Sequence, residues 1–294
     1  MGGLSFLASE AGLPEPGPWP ESVTFERRDG GRLHGLDWGG DGPGVLFLHG
    51  GALSANTWML CCSLLRHKRR CVALDLRGHG DSDWAYDYSI PAHVGDVHDA
   101  IEQLGWRTPD LVGMSLGGVV AAHAALSAKS FAPNSLTMVD VAPGVSFGAS
   151  SRLREFVLAD TVKGGVPALI AEARTLGARN SDAELIYRYA ALVRQNADGT
   201  WRWKRDDRRP VDFDHILAHI DRLNRLAPRM SWPCLVVRGR LSRILSEKAA
   251  QAFADTCPNG TMQVVENAGH SVQEDNPHDL ARVLAAFWRD RAPL

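Results

Sequence analysis

The sequence is short of the features that mark several common classes of protein. Its five cysteines, Cys61, Cys62, Cys71, Cys234 and Cys257, form no Cys-x-x-Cys or Cys/His pattern, so a zinc site has no support and a reducing compartment is the simpler reading. No run of five like charges occurs, and 32 basic against 34 acidic side chains leave a net charge of −2, so neither a nucleic-acid footprint nor membrane attachment is expected. Lys and Arg are absent before Arg27, and Phe6 stands where a myristoylation signal needs Ser or Thr, so the expected location is cytoplasmic. The long uncharged run at 111–128 contains Gly113, Ser115, Gly117, Gly118 and His123, and reads as strand, turn and helix rather than a membrane span.

What is present is the composition of a globular chain, 45% hydrophobic and 22% charged, long enough to bury roughly three quarters of its unfolded surface. Residues 1–20, with Pro14, Pro16, Pro18 and Pro20, suit an extended tail. Short apolar runs at 23–26, 33–38, 45–48, 71–75, 110–114, 136–139, 233–238 and 262–265 read as strands. Helical patterns at 57–67, 91–104, 116–128, 246–255 and 277–288 fall between or after them. Repeated strand, helix, strand order predicts an α/β fold with a mostly parallel sheet covered on both faces. Between residues 140 and 232 only helical periodicity is found, at 151–160, 167–176, 182–195 and 213–226. The expected division is a tail at 1–20, a core of 21–145 and 232–294, and an all-helical cap of 146–231 over the ligand-binding edge of the sheet.

The strongest local signal is Gly113-Met114-Ser115-Leu116-Gly117-Gly118, a G-x-S-x-G turn that follows an apolar strand and opens an Ala-rich helix. Small residues are needed because a sharp strand-to-helix turn presses its neighbours against backbone, and the strain exposes the serine hydroxyl. The helix start turns free N–H groups and its positive dipole end toward charge developing on an attacked carbonyl. Upstream stand His49-Gly50-Gly51-Ala52-Leu53, after a strand, and Asp75-Leu76-Arg77-Gly78-His79-Gly80-Asp81-Ser82. With these three motifs in order, residues 22–290 resemble an α/β-hydrolase-fold serine hydrolase with a helical cap. That resemblance implies an eight-stranded sheet and an oxyanion hole formed by the N–H groups of Gly51 and Leu116, with Ala52 the neighbouring alternative. It also implies loop-fixing roles for His49, Asp75 and His79.

A serine hydroxyl needs a base that accepts its proton near neutral pH. Of eleven histidines, only His270 lies in a turn directly after a late strand, where similar hydrolases carry the base. The third member departs from the commonest pattern. Most relatives place an Asp a few residues beyond the glycine that is Gly239 here, yet this chain reads Arg240-Leu241-Ser242-Arg243, and a cation cannot orient an imidazole N–H. Asp140, ending the sixth strand, is the best replacement, an arrangement similar to lactonases of the zearalenone-hydrolysing type. The same Asp fixes a turn in relatives that keep the usual acid, so the two roles stay open. Glu247 suits the first turn of a helix capped by Ser246, and Asp275 follows His270 too closely to face it easily.

Trp58, Trp84, Met114, Trp201 and Trp203 are candidates for the substrate surface, each equally suited to ordinary core. The alternating Trp201-Arg202-Trp203-Lys204-Arg205 reads as an amphipathic cap segment. The expected activity is hydrolysis of a small to medium, largely apolar ester or lactone through an acyl-enzyme, with no cofactor and no metal. A perhydrolase, acyltransferase or carbon–carbon hydrolase on the same triad, or a ligand-binding descendant without turnover, are the alternatives.

Overall fold

The computed structural model describes residues 19–146, 162, 164–175, 180–208 and 212–289; most of the expected tail and the helix expected at 151–160 lie outside the described residues. Eight strands form one sheet: β1 (Glu21–Glu26), β2 (Arg32–Asp37), β3 (Gly44–Leu48), β4 (Arg70–Leu74), β5 (Asp110–Met114), β6 (Ser135–Val139), β9 (Cys234–Gly239) and β10 (Gly260–Val265). Their spatial order is β1-β2-β4-β3-β5-β6-β9-β10. β2 is antiparallel to both β1 and β4, and every other pairing is parallel. Each expected strand lies within two residues of an observed one, because a doubly covered parallel sheet demands apolar side chains on both faces of its central strands.

β3 shows the two-sided burial most clearly. Val45 and Phe47 join one apolar cluster while Leu46 and Leu48 join the other, the period-2 alternation of a strand. One face is covered by α2 (Ile90–Gln103), α3 (Leu116–Leu126) and α7 (Glu247–Thr256), through Val97, Ile101, Val120 and Phe253. The other is covered by α1 (Met59–Leu65) and α8 (Pro277–Arg289), through Cys62, Leu65, Leu284 and Trp288. All five cysteines are free and buried. No helix among the described residues is long and apolar enough to cross a membrane.

The segment between β6 and β9 holds α4 (Gly165–Thr175), α5 (Asp182–Ala190) and α6 (Phe213–Leu226). It is not all helical. A two-stranded antiparallel hairpin pairs β7 (Val193–Gln195) with β8 (Trp201–Trp203), so the helix expected to run to Gln195 ends at Ala190. Asp198-Gly199 makes the turn, with Gly199 at φ 85° and the Asp198 carboxylate accepting from Thr200 N–H, and alternating Trp201-Arg202-Trp203 is strand rather than helix periodicity. α5 begins with a reciprocal cap between Ser181 and Glu184, and α6 lays Ile220 and Leu223 against the cluster that α3 also joins.

Candidate active site

The turn after β5 is strained at one residue. Ser115 has φ 50° and ψ −118°, outside the wells that a non-glycine residue ordinarily occupies. Glycine is obligatory beside it: a Cβ on Gly113 would come within 2.2 Å of Gly117 O, and one on Gly117 within 2.3 Å of Leu48 O. The β3 loop is equally close, since a Cβ on Gly50 would stand 3.4 Å from Ser115 Cβ and 2.5 Å from Met114 Sδ. Gly51, next along that loop, faces open space. Leu116, as first residue of α3, has an N–H with no partner within the helix.

The non-glycine residues with positive φ among those described are Ala52, Ser115, Asp140 and Asn267. They follow β3, β5, β6 and β10 respectively, all at the carboxyl edge of the parallel strands. Strain gathers where neighbouring structure over-determines the chain, and here it marks one edge of the sheet.

At that edge His270 Nδ1 donates to Asp140 Oδ2 at 2.8 Å. Asp140 is fully buried, and its backbone N–H bonds Val237 O while Ser115 N–H bonds Val139 O, which ties both residues to adjoining strand ends. The other carboxylate oxygen accepts from Gly239 N–H at 3.2 Å, and Oδ2 accepts a second bond from the Ser242 hydroxyl at 2.6 Å. No hydrogen bond joins Ser115 Oγ to His270 Nε2 among the described residues, although both stand at the same edge. With Nδ1–H committed to Asp140, the lone pair of the neutral ring lies on Nε2.

The remaining acids near the base do other work. Asp275 accepts from Gly269 N–H at 2.8 Å and so shapes the turn before His270; burial pushes its carboxyl up, offset in part by that N–H. Glu247 sits at the surface in an ion pair with Arg240 at 2.7 Å. Arg243 is exposed.

His49 and Asp75 hold loops. His49 Nδ1 donates to Gly50 O at 2.8 Å while Nε2 accepts from Leu76 N–H at 2.9 Å, which fixes a neutral tautomer and joins the β3 and β4 loops. Asp75 accepts from Ala55 N–H, Asp81 N–H and His34. Burial pushes its carboxyl up, but the His34 hydrogen bond and the nearby imidazoles outweigh that and hold it low. His79 is pushed down to about 3, by burial first and then by His49, whose ring centroid is 5.1 Å away.

A family model described as alpha/beta hydrolase family matches residues 45–283. The chain belongs to that family. It is a hydrolase of the alpha/beta type, and esterases stand among its relatives. Esterase Rv0045c of Mycobacterium tuberculosis is 30% identical over 96% of this chain and 93% of its own length. A solved structure of that esterase superposes on the hydrolase with a TM-score of 0.75 at 26% identity, covering 97% of each chain. The sn-1-specific diacylglycerol lipase ABHD11 of Mus musculus is 25% identical over 83% of this chain and 80% of its own length. For the fold alone, an E-2-(acetamidomethylene)succinate hydrolase structure gives a TM-score of 0.78 at 23% identity, covering 92% of this chain and 99% of the other.

The hydrolase distributes the expected substrate residues unevenly. Met114 lies against Gly50, beside Ser115. Trp58 is fully buried with its ring 5.1 Å from Phe47, and Trp203 is 3% exposed in the same apolar cluster. Trp84 carries the guanidinium of Arg208 at 4.4 Å and that of Arg202 at 5.5 Å from its ring centre, and Trp201 is half-buried on β8. The segment between β6 and β9 is anchored to the core by Tyr88 to Asp206 at 2.7 Å, Lys204 to Asp81 at 2.9 Å, Tyr187 to Asn56 at 2.8 Å and Arg188 to Glu274 at 2.7 Å. Ser242 and Gly239 were missed by sequence reasoning because their bonds to Asp140 span about a hundred residues of chain.

Proposed function

We propose that the protein is a serine esterase that works through an acyl-enzyme, with Ser115 as nucleophile, His270 as base and Asp140 as the acid that orients the base. The observation that carries this reading is the 2.8 Å bond from His270 Nδ1 to the buried Asp140 carboxylate, beside a serine in strained conformation at the same sheet edge. In this mechanism Ser115 Oγ attacks the ester carbonyl as its proton passes to His270 Nε2, closing the hydrogen bond that substrate binding brings into line. The Gly51 and Leu116 N–H groups take the developing oxyanion. Asp140 stays ionised and stabilises the imidazolium, which then protonates the leaving alcohol. Water activated by the same imidazole releases the acid and restores the serine.

The segment between β6 and β9 would serve as a cap. Val162, Leu192, Val193 and Trp203 from it join the apolar cluster that contains Met114, which favours an uncharged acyl group over a charged one. The esterase relative supports an ester as the bond cleaved. A panel of short and medium acyl esters, lactones and a carbon–carbon cleavage substrate tests the reading, with Ser115→Ala as the blank. Turnover of esters above that blank is expected, with medium chains preferred over short ones; turnover confined to the carbon–carbon substrate, or equal turnover by the blank, would contradict it.

A further inference from the structure

The loop after β9 contains no carboxylate before Glu247, yet it is highly organised. Arg238 is buried and spends its guanidinium on three backbone carbonyls of the loop: Leu245 O at 2.7 Å, Arg240 O at 3.2 Å and Ser242 O at 3.2 Å. Leu241 N–H bonds Ala268 O at 2.8 Å, which fastens the loop to the turn that carries His270. The Ser242 hydroxyl oxygen accepts from Ile244 N–H and Leu245 N–H, both at 3.3 Å.

Those two bonds fix what the hydroxyl proton does. With its lone pairs engaged by backbone donors, Ser242 Oγ has its proton to give, and the acceptor 2.6 Å away is Asp140 Oδ2, the same oxygen that receives His270 Nδ1–H. A hydroxyl that accepts from N–H groups is polarised and donates more strongly, and a bond to a charged acceptor exceeds a neutral one. Without it, Gly239 N–H would be the remaining donor of this loop to the carboxylate, leaving Asp140 freer to rotate and turn Oδ2 away from the imidazole.

We infer that Ser242 is a positioning residue for the triad: the loop that has no acid of its own acts as a cradle that sets the plane of an acid supplied from β6. This inference rests on the catalytic reading of Asp140 and extends it to a residue that touches neither substrate nor base. It acts on the chemical step and not on binding, so its signature lies in kcat.

The test is a cycle of variants in the full chain, read by hydrolysis of a chromogenic ester and by the rate of labelling with a fluorophosphonate. Ser242→Ala is expected to lower kcat about 10- to 100-fold, the loss typical of a bond to a charged group, with KM within about twofold. Ser242→Thr, which keeps the hydroxyl, should recover activity to within about threefold of the parent. In an Asp140→Asn background, Ser242→Ala should cost less than about twofold, because a residue that acts through the carboxylate has nothing left to orient. Ser242→Cys, near in size but a weak donor, replaces the alanine variant should that one fail to fold. Parent-like activity of Ser242→Ala, or an equal loss in both backgrounds, would overturn the inference and leave the loop a purely structural one. Parent-like activity of Asp140→Asn alone would instead overturn the triad reading, and this inference with it.

Discussion

Asp140→Asn is expected to lower kcat by about 10³- to 10⁴-fold while the protein still folds. The reason lies in the tautomer. Asp140 Oδ2 accepts from His270 Nδ1, which leaves Nε2 as the acceptor that Ser115 requires. An amide at position 140 keeps the size of the side chain and an oxygen for the Gly239 N–H or the Ser242 hydroxyl, but it can present N–H to the imidazole. The ring then carries its proton on Nε2 and cannot take one from serine, and the counter-charge for the imidazolium is lost too; together these effects are worth about 10⁴ in comparable triads. Steady-state kinetics with circular dichroism as the folding control decide it. Glu247→Gln, which alters only a surface ion pair with Arg240, should change kcat by less than about twofold. A fall of less than about tenfold for Asp140→Asn would reassign Asp140 to turn formation.

The second large effect is expected from a glycine far from the nucleophile in sequence. A Cβ on Gly239 would stand 2.0 Å from Gly269 O and 2.6 Å from Ala268 O, both of them backbone atoms of the turn that leads into His270. Neither can swing aside as the end of a flexible side chain would. Gly239→Ala must therefore push the His270 turn away from β9, while Gly239 N–H also holds Asp140 Oδ1. A shift near 1 Å at the reacting groups costs about 100-fold in rate, and overpacking of a tight site costs roughly 1–3 kcal/mol of stability. Both losses should be seen together, in kcat and in the thermal midpoint. Leu241→Ala, two residues on and 65% exposed, should leave both unchanged. An active, stable Gly239→Ala protein would mean that the two loops adjust independently of the site.

The parts of the molecule that could be read from sequence are those set by local rules. Strands β3, β5 and β6 are apolar because both faces of the sheet are covered, and α6 was readable at its observed bounds because Asp212 caps it and its apolar residues recur every three to four positions. Gly113 and Gly117 announced the elbow, since no side chain fits where backbone lies about 2.2 Å away. The meeting of Asp140 with His270 across 130 residues was legible in part: the missing acid after Gly239 and the resemblance to hydrolases with an acid after the sixth strand pointed to Asp140, with a turn-fixing role left open beside it. The hairpin of β7 and β8 was lost because three-residue strands are too short for periodicity to outweigh a neighbouring helix, although Asp198-Gly199 between Val-Arg-Gln and Trp-Arg-Trp carried the signal. Ser242 gave no sign at all. Its partner stands on another strand, and nothing in the spacing of a lone serine says that its proton goes to a buried carboxylate.

The central claim is that Ser115 is made reactive by His270. The most direct measurement is the site and rate of modification by a fluorophosphonate, with the adduct located by peptide mass spectrometry in the parent protein and in His270→Ala. One adduct on Ser115, formed at least about a thousandfold more slowly when the imidazole is removed, is the result expected of a nucleophile that depends on its base. Modification at another residue, or an unchanged rate in His270→Ala, would contradict the claim.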